Sequence, residues 1–408
     1  MADVDVLVVG AGPAGAAAAE TLRAEGFEGS ILLAGRELDA PYERPPTSKD
    51  YLLGRRSKDD CLLQPAGFWD AQGIDLRTRT SVMKLDPVAR TATLATKEEV
   101  SFGQALLATG ANVRRLRVDG AMLEGIHYLR ALGNADALRR DAEAASRVVL
   151  VGGSFVACEV AASLSLLGKS CTIVAMEDEP MANAFGTGVG RWVRGMLEAR
   201  GVKLAMGETL ERFEGEEGGR VERVVCSSGR VLDTDLVVMG TGAAPDVMLA
   251  RSAGLELGDS GGVRCDAALR TSAEGVWAAG DICEYDSVVH GRRLRVEHWE
   301  VARGQGAHAA RAMLGAQEPY REVPYFWTDL ADWATLESVG PAERWDREVV
   351  RGSMDDGAFT VFYLDGGRVV AALTCGHAAD LDVARRLIAS GEDVTDRLEA
   401  LEAVGGDV

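Results

Sequence analysis

The first residues that could do chemistry are glycines. Gly10-Ala11-Gly12-Pro13-Ala14-Gly15 follows the apolar run Val6-Leu7-Val8-Val9 and opens an alanine-rich stretch. G-x-G-x-x-G between a strand pattern and a helix pattern presents backbone amides to a diphosphate. Gly10 makes the tight turn, Gly12 lets the backbone approach, and Gly15 packs helix on strand, with Ala14 in the first helical turn. The helix start then turns its unpaired N–H groups toward the phosphates. About 20 residues on, Glu37 is the candidate acid for a ribose hydroxyl. The device recurs in Gly152-Gly153-Ser154-Phe155-Val156-Ala157-Cys158-Glu159. Ala157 is tolerated where the third glycine stands. Ser154 replaces the second, and its side chain either crowds a pyrophosphate or donates a hydrogen bond to it. No Ser–His–Asp or H-E-x-x-H pattern is present. Cys375-Gly376-His377 lacks the second half of a cluster site, so no metal is expected.

The elements that must position these turns also repeat. Val6–Val9 and Val148–Val151 each read as a buried strand, followed by a glycine turn, an alanine-rich helix and a glycine stop, at Gly26 and Gly168. A second echo follows each: Leu106-Leu107-Ala108-Thr109-Gly110 and Val238-Met239-Gly240-Thr241-Gly242. Thr109 and Gly110 are candidate contacts at the first cofactor, and Gly242 at the second. Val276-Trp277-Ala278-Ala279-Gly280-Asp281 is a later buried strand that returns to the first copy, and Asp281 precedes an apparent helix. The expected fold is α/β, with two Rossmann-like dinucleotide-binding domains plus a C-terminal α+β domain. The first domain takes residues 1–115 and 245–316, the second 116–244, and the C-terminal domain 317–408. Residues 358–373 alternate around Asp365-Gly366-Gly367, a hairpin signal. Residues 380–388 form a short amphipathic helix, and the acidic last dozen residues are expected to fray.

Composition narrows the function class. The 408 residues carry 44 Lys plus Arg against 63 Asp plus Glu, a formal charge of −19, which argues against a general nucleic-acid binder. No apolar run reaches the about 20 residues of a membrane span. The acidic start, Met1-Ala2-Asp3-Val4-Asp5, does not resemble a secretory signal. Seven scattered cysteines without a C-x-x-C pair read as reduced, packed thiols, and a cytoplasmic location is expected.

Pro41-Tyr42-Glu43-Arg44-Pro45-Pro46-Thr47-Ser48-Lys49 closely resembles the PYERPPLSK segment of FAD-dependent, NADH-using ferredoxin reductases. The resemblance continues through Ala108-Thr109-Gly110, Arg270-Thr271-Ser272, Ala279-Gly280-Asp281, Glu297-His298-Trp299 and Phe326-Trp327-Thr328-Asp329, and spans essentially the whole chain. It implies a glutathione-reductase-like arrangement that moves a hydride from NADH to FAD. Single electrons then go to a ferredoxin serving a Rieske-type or haem-thiolate oxygenase. It implies further that Arg44 contacts the FAD pyrophosphate, that Asp281 accepts from the ribityl hydroxyls, and that Glu297, His298 and Trp299 line the flavin ring. Lys49 and Trp327 would sit beside the flavin, and Glu159 would orient the nicotinamide amide and face Lys49. The family's acid at the end of the strand after the second turn is displaced here: Ala175-Met176 stands in its place and Glu177 follows. With no arginine in residues 176–180, NADH is expected over NADPH. The run 13–51 holds no cysteine, against a thiol relay. Arg292, Arg293 and Arg295 are candidate docking charges for an acidic ferredoxin, needed because the chain itself is acidic. Two other readings stay open: an NADH oxidase or quinone-type reductase, and a nucleotide-responsive binding module like the related apoptosis-inducing factor.

Overall fold

The computed structural model describes residues 2–216, 219–341 and 343–406. The chain forms two compact units: Met1–Glu43, Cys61–Asn112 and Ala244–Phe326 make the first, and Arg44–Asp60, Val113–Ala243 and Trp327–Val408 the second.

In the first unit, strands Ile74–Arg77, Ile31–Ala34, Ala2–Val9 and Glu99–Leu107 lie parallel in that order. Val276–Ala278 adds in parallel beside residues 105–107, as its sequence led us to expect of a returning strand. The central strands are near-continuous Val, Leu and Ile runs because such a sheet is covered on both faces. Helix Pro13–Ala24 buries Ala14 to Ala19 and Leu22. It packs on helix Trp299–Met313 so closely that a Cβ at Gly306 would lie 2.0 Å from the Ala14 carbonyl oxygen. One local expectation fails here. Asp281 leads through a turn into strand Cys283–Ser287 rather than into a helix, because residues 283–285 pair in parallel with Val263–Cys265.

The second unit repeats the design, with parallel strands Lys203–Met206, Ser170–Ala175, Arg147–Val151, Leu236–Met239 and Ile126–Tyr128. Helix Phe155–Leu166 buries every residue from Ala157 to Leu164, which suits its lack of a polar face. Strands Ala334–Val339, Arg368–Cys375, Ala358–Asp365 and Arg347–Ser353 form an antiparallel sheet, and Tyr325–Leu330 adds to it beside Ala334–Val339 as an edge strand. Its hairpin turns at Gly366 (φ +55°) and Gly367 (φ +79°), the two left-handed residues a tight two-residue loop requires. Helix Ala379–Ser390 covers the sheet. The tail differs from expectation. Leu401 is fully buried, and the buried Arg351 guanidinium donates to the carbonyls of Ala400 and Leu401 and to Asp380. A buried guanidinium needs acceptors, and here the chain end supplies them.

Candidate active site

Both glycine turns have the geometry their spacing implies. Gly10 has φ +113°, and a Cβ on it would lie 2.1 Å from the Ala108 carbonyl oxygen. Gly152 has φ +115°, and its Cβ would lie 2.2 Å from the Gly240 carbonyl oxygen. Gly12 and Ser154 are the N-caps of the two helices, and neither helix start has a side-chain cap. The first amides of each helix are therefore left for a ligand. Ser154 is exposed, with its hydroxyl unused by the helix, so both readings of it survive.

In the first unit the expected polar residues make three separate groups of contacts. Tyr42 Oη donates to Glu37 Oε2 at 2.5 Å, fixing that carboxylate just past the end of its strand. Thr109 Oγ1 donates to the Asp246 carbonyl at 2.6 Å, and Gly110 turns with φ +71°. Asp281 follows left-handed Gly280, whose N–H donates to Gln305 Oε1 at 2.8 Å. Arg295 Nη1 donates to the Asp281 carbonyl at 2.9 Å and to Glu297 Oε1 at 2.5 Å. His298 caps the helix that Trp299 begins. Burial holds the His298 pKa down at about 4, against the opposing pull of Asp281 and a backbone hydrogen bond at Tyr325. Three buried polar atoms in this set have no partner among the described residues: Gln305 Nε2, His298 Nδ1 and Arg295 Nε. Gly280, bonded to Gln305, lies against the first turn of the uncapped helix, where a Cβ would be 3.2 Å from that of Ala14; an orphaned buried amide there is what a polar cofactor satisfies, and the residues fit FAD. Gln305 was invisible to sequence reasoning, since a glutamine inside a helix carries no local signal.

The second unit holds a compact buried constellation. Lys49 Nζ lies 2.7 Å from Glu159 Oε1, and Glu159 is 5% exposed. The same carboxylate accepts from Ser48 Oγ at 2.5 Å and from Thr328 Oγ1 at 2.7 Å. Ser163 Oγ donates to the Ser48 carbonyl at 2.8 Å. The pairing of Lys49 with Glu159 was expected, whereas Ser48, Ser163 and Thr328 were missed. Trp327 alternates with buried Thr328 along the edge strand and is half-buried. Arg44 heads the short helical turn Pro45–Ser48 and donates through Nη1 to the Arg130 carbonyl at 2.9 Å. Glu177 lies over the second turn, with one carboxylate oxygen bonded by Asn183 Nδ2 at 3.0 Å. Gly242 closes the echo of that turn with φ +82°.

Of the expected docking charges, Arg293 pairs with Asp286 at 2.9 Å and Arg295 with Glu297, while exposed Arg292 begins the same short strand, Arg292–Leu294. All seven cysteines are buried and none is in a disulfide. No helix among the described residues is long and apolar enough to cross a membrane.

Two uncapped glycine turns on parallel sheets, one fitted to FAD and each with an acid past its neighbouring strand, define a two-dinucleotide flavoprotein oxidoreductase. The pattern of the pyridine nucleotide-disulphide oxidoreductase family matches residues 4–306, and that of the reductase C-terminal domain matches residues 325–404. The chain belongs to that oxidoreductase family. It is 36% identical, over 98% of its length and 96% of the relative's, to the 5,5'-dehydrodivanillate O-demethylase ferredoxin reductase subunit of Sphingobium sp.. It is 33% identical, over 96% and 91%, to rhodocoxin reductase of Rhodococcus erythropolis. The crystal structure of a ferredoxin reductase from Rhodopseudomonas palustris matches with a TM-score of 0.94 at 32% identity, over 99% of this chain and 98% of that one. Putidaredoxin reductase, in its covalent complex with putidaredoxin, matches at 0.91 and 29%, over 98% and 99%.

Proposed function

We propose that this protein takes a hydride from NADH and passes single electrons, through FAD, to a ferredoxin serving an oxygenase. The observation that carries the reading is a pair of dinucleotide turns in a chain with no cysteine in residues 13–51 and no exposed cysteine. Without a thiol to receive them, the electrons need an external acceptor. Bound FAD supplies the conversion from a two-electron donor to one-electron delivery.

The residues divide the work as follows. Gly10, Gly12, Ala14 and Gly15 cradle the FAD diphosphate, with Arg44 as the guanidinium partner, and Glu37 and Asp281 accept from its hydroxyls. Glu297, His298 and Trp299 line the ring. Lys49 supplies positive charge that stabilises the reduced flavin, and Trp327 excludes water from the hydride path. Glu159 holds Lys49 and orients the nicotinamide amide. Gly152, Gly153 and Ser154 receive the NADH diphosphate. Functionally we divide the chain into an FAD domain (1–115 and 245–316), an NAD(H) domain (116–244) and a C-terminal domain (317–408). The ferredoxin docks near Arg292, Arg293 and Arg295, and the protein works in the cytoplasm.

The test is NADH-dependent cytochrome c reduction with candidate ferredoxins from the same genome. Turnover that requires the ferredoxin is expected. Equal turnover without it, with oxygen or a quinone as acceptor, would make the protein an oxidase or quinone-type reductase. Slow flavin reduction with a nucleotide-dependent change in oligomeric state would make it a binding module.

A further inference from the structure

The second glycine turn is held from the C-terminal sheet by an unbroken run of hydrogen bonds. Tyr363 Oη, on strand Ala358–Asp365, donates to the Phe185 carbonyl at 2.8 Å. Phe185 N–H and Ala184 N–H donate to the Met181 carbonyl at 3.1 and 3.0 Å, and Met181 N–H donates to the Gly153 carbonyl at 2.7 Å. All of these residues belong to the second unit. A ring contact runs beside the bonds: Phe185 packs against Phe155, the first residue of the helix that the turn opens, with ring centroids 5.4 Å apart.

The helix that carries Phe185, Ala182–Ala199, is shaped around this contact. It breaks directly after Phe185, where Gly186 takes φ +82° and ψ 166°. Glycine adopts that backbone freely, and the space is closed as well: a Cβ at Gly186 would lie 2.5 Å from Glu348 Oε1 and 3.2 Å from Trp345 Cζ2. Trp345 Nε1 donates to Glu348 Oε1 at 2.9 Å, and its ring lies 4.9 Å from that of Tyr363, which fixes the tyrosine on the sheet side. Tyr363 is fully buried, and burial with the nearby Glu348 charge pushes its phenol well above the ordinary range, so it remains a donor. At the other end Met181 has φ +59°, a conformation that residues with a side chain rarely adopt, and bonds at both its N–H and its carbonyl hold it there.

Met181 grips the peptide between Gly153 and Ser154. That peptide is planar, so fixing the Gly153 carbonyl fixes the Ser154 N–H on its opposite edge. This N–H is one of the amides at the helix start that a diphosphate would meet.

We propose that Tyr363 is a positioning residue for the dinucleotide: through Phe185 and Met181, its hydroxyl holds the second glycine turn in the shape that receives the NADH diphosphate. The inference rests on NADH binding at that turn. Tyr363 acts on the nucleotide through the turn and not by contact, so its loss is read in affinity and not in the hydride step.

Calorimetric titration of the FAD-loaded, oxidised enzyme with NAD+, alongside NADH–ferricyanide kinetics and thermal melting, tests this. Tyr363→Phe removes the hydroxyl and keeps the ring. It should weaken NAD+ about three- to tenfold, the range of one hydrogen bond, and raise KM for NADH by a similar factor with kcat and FAD content unchanged. Trp192→Leu is the comparison. Trp192 lies on the same helix beyond the break and packs edge-on to Phe359 of the same sheet, with ring centroids 5.1 Å apart. Its loss should lower the melting temperature at least as far as Tyr363→Phe does and leave NAD+ affinity unmoved. Wild-type NAD+ affinity in Tyr363→Phe, or equal weakening by Trp192→Leu, would overturn the proposal. Ser154→Asp, an exposed change that leaves a good helix cap, separates the two levels. If it abolishes NAD+ binding while Tyr363→Phe has no effect, only this inference fails. If it leaves NAD+ binding intact, the nucleotide binds elsewhere and the underlying reading fails with it.

Discussion

Lys49 and Glu159, 110 residues apart in sequence, meet at 2.7 Å in a site where their side chains are 14% and 7% exposed. Removing one charge from such a pair leaves the other buried and uncompensated. Glu159→Ala, which also strands the Thr328 hydroxyl and leaves Ser48 Oγ only the Pro45 carbonyl at 3.2 Å, is expected to destabilise the protein by about 3–5 kcal/mol. Lys49→Met with Glu159→Leu should recover most of that loss in thermal or urea unfolding, while stopped-flow reduction of FAD by NADH stays slow. A double variant as unstable as Glu159→Ala would show that the pair's worth is not electrostatic.

Ala157 and Gly240 form a second testable contact. A Cβ at Gly240 would lie 2.9 Å from the Ala157 Cβ and 3.2 Å from its nitrogen, and Gly240 carries no positive φ. Gly240→Ala should therefore cost about 1–3 kcal/mol through overpacking alone. Ala157→Gly in the same chain should relieve much of it, read as coupling in a double-mutant cycle of urea midpoints. Additive losses would refute the steric account.

Arg351 and Asp380 tie the chain end to the C-terminal sheet. Arg351 is 2% exposed and bonds Asp380 Oδ1 at 2.6 Å, while Thr360 Oγ1 bonds Oδ2 at 2.7 Å. Asp380→Ala should cost about 3–5 kcal/mol and free the tail, seen as faster proteolysis after residue 390. Unchanged proteolysis would show that the tail is held without Asp380, by the Arg351 bonds to the Ala400 and Leu401 carbonyls and the burial of Leu401.

His290 gives a pH dependence with a defined sign. Burial, aided by Arg292, lowers its pKa from 6.5 to about 4. The folded state then binds fewer protons than the unfolded state between those values. Its contribution is complete above pH 6.5 and is lost progressively as the pH falls toward 4. His298, lowered by burial to about 4, acts in the same sense. The melting temperature should fall over this window, and His290→Asn should make the slope shallower. An unaltered slope would assign acid sensitivity elsewhere.

For the docking charges, Arg292→Glu with Arg293→Glu should slow electron transfer to ferredoxin steeply at low salt and flatten its salt dependence. The rate of FAD reduction by NADH serves as the reference in the same sample. Equal ferredoxin turnover by variant and wild type at low ionic strength would move the docking face away from these residues.

What depends on backbone chemistry over a few residues could be read directly along the chain. The turns at Gly10 and Gly152, the helix stops at Gly26 and Gly168 and the Gly366-Gly367 hairpin were legible because only glycine meets those local demands. The repeat was legible too, because parallel buried strands must read as apolar runs. Tertiary structure decided the partners. Thr328 reaches Glu159 from 169 residues away, Gln305 receives the Gly280 amide, and Asn183 and Arg194 close on the Glu177 loop. No local pattern announces such contacts, since they depend on which strands pair and which small residues let two segments approach. The turn after Asp281 shows the limit plainly: pairing with Val263–Cys265 drew it into a strand where the local sequence read as a helix. Glu177 shows it again: Gly152 N–H bonds the Val174 carbonyl as Gly10 N–H bonds that of Ala34, so the acid that looked displaced along the chain falls level with Glu37.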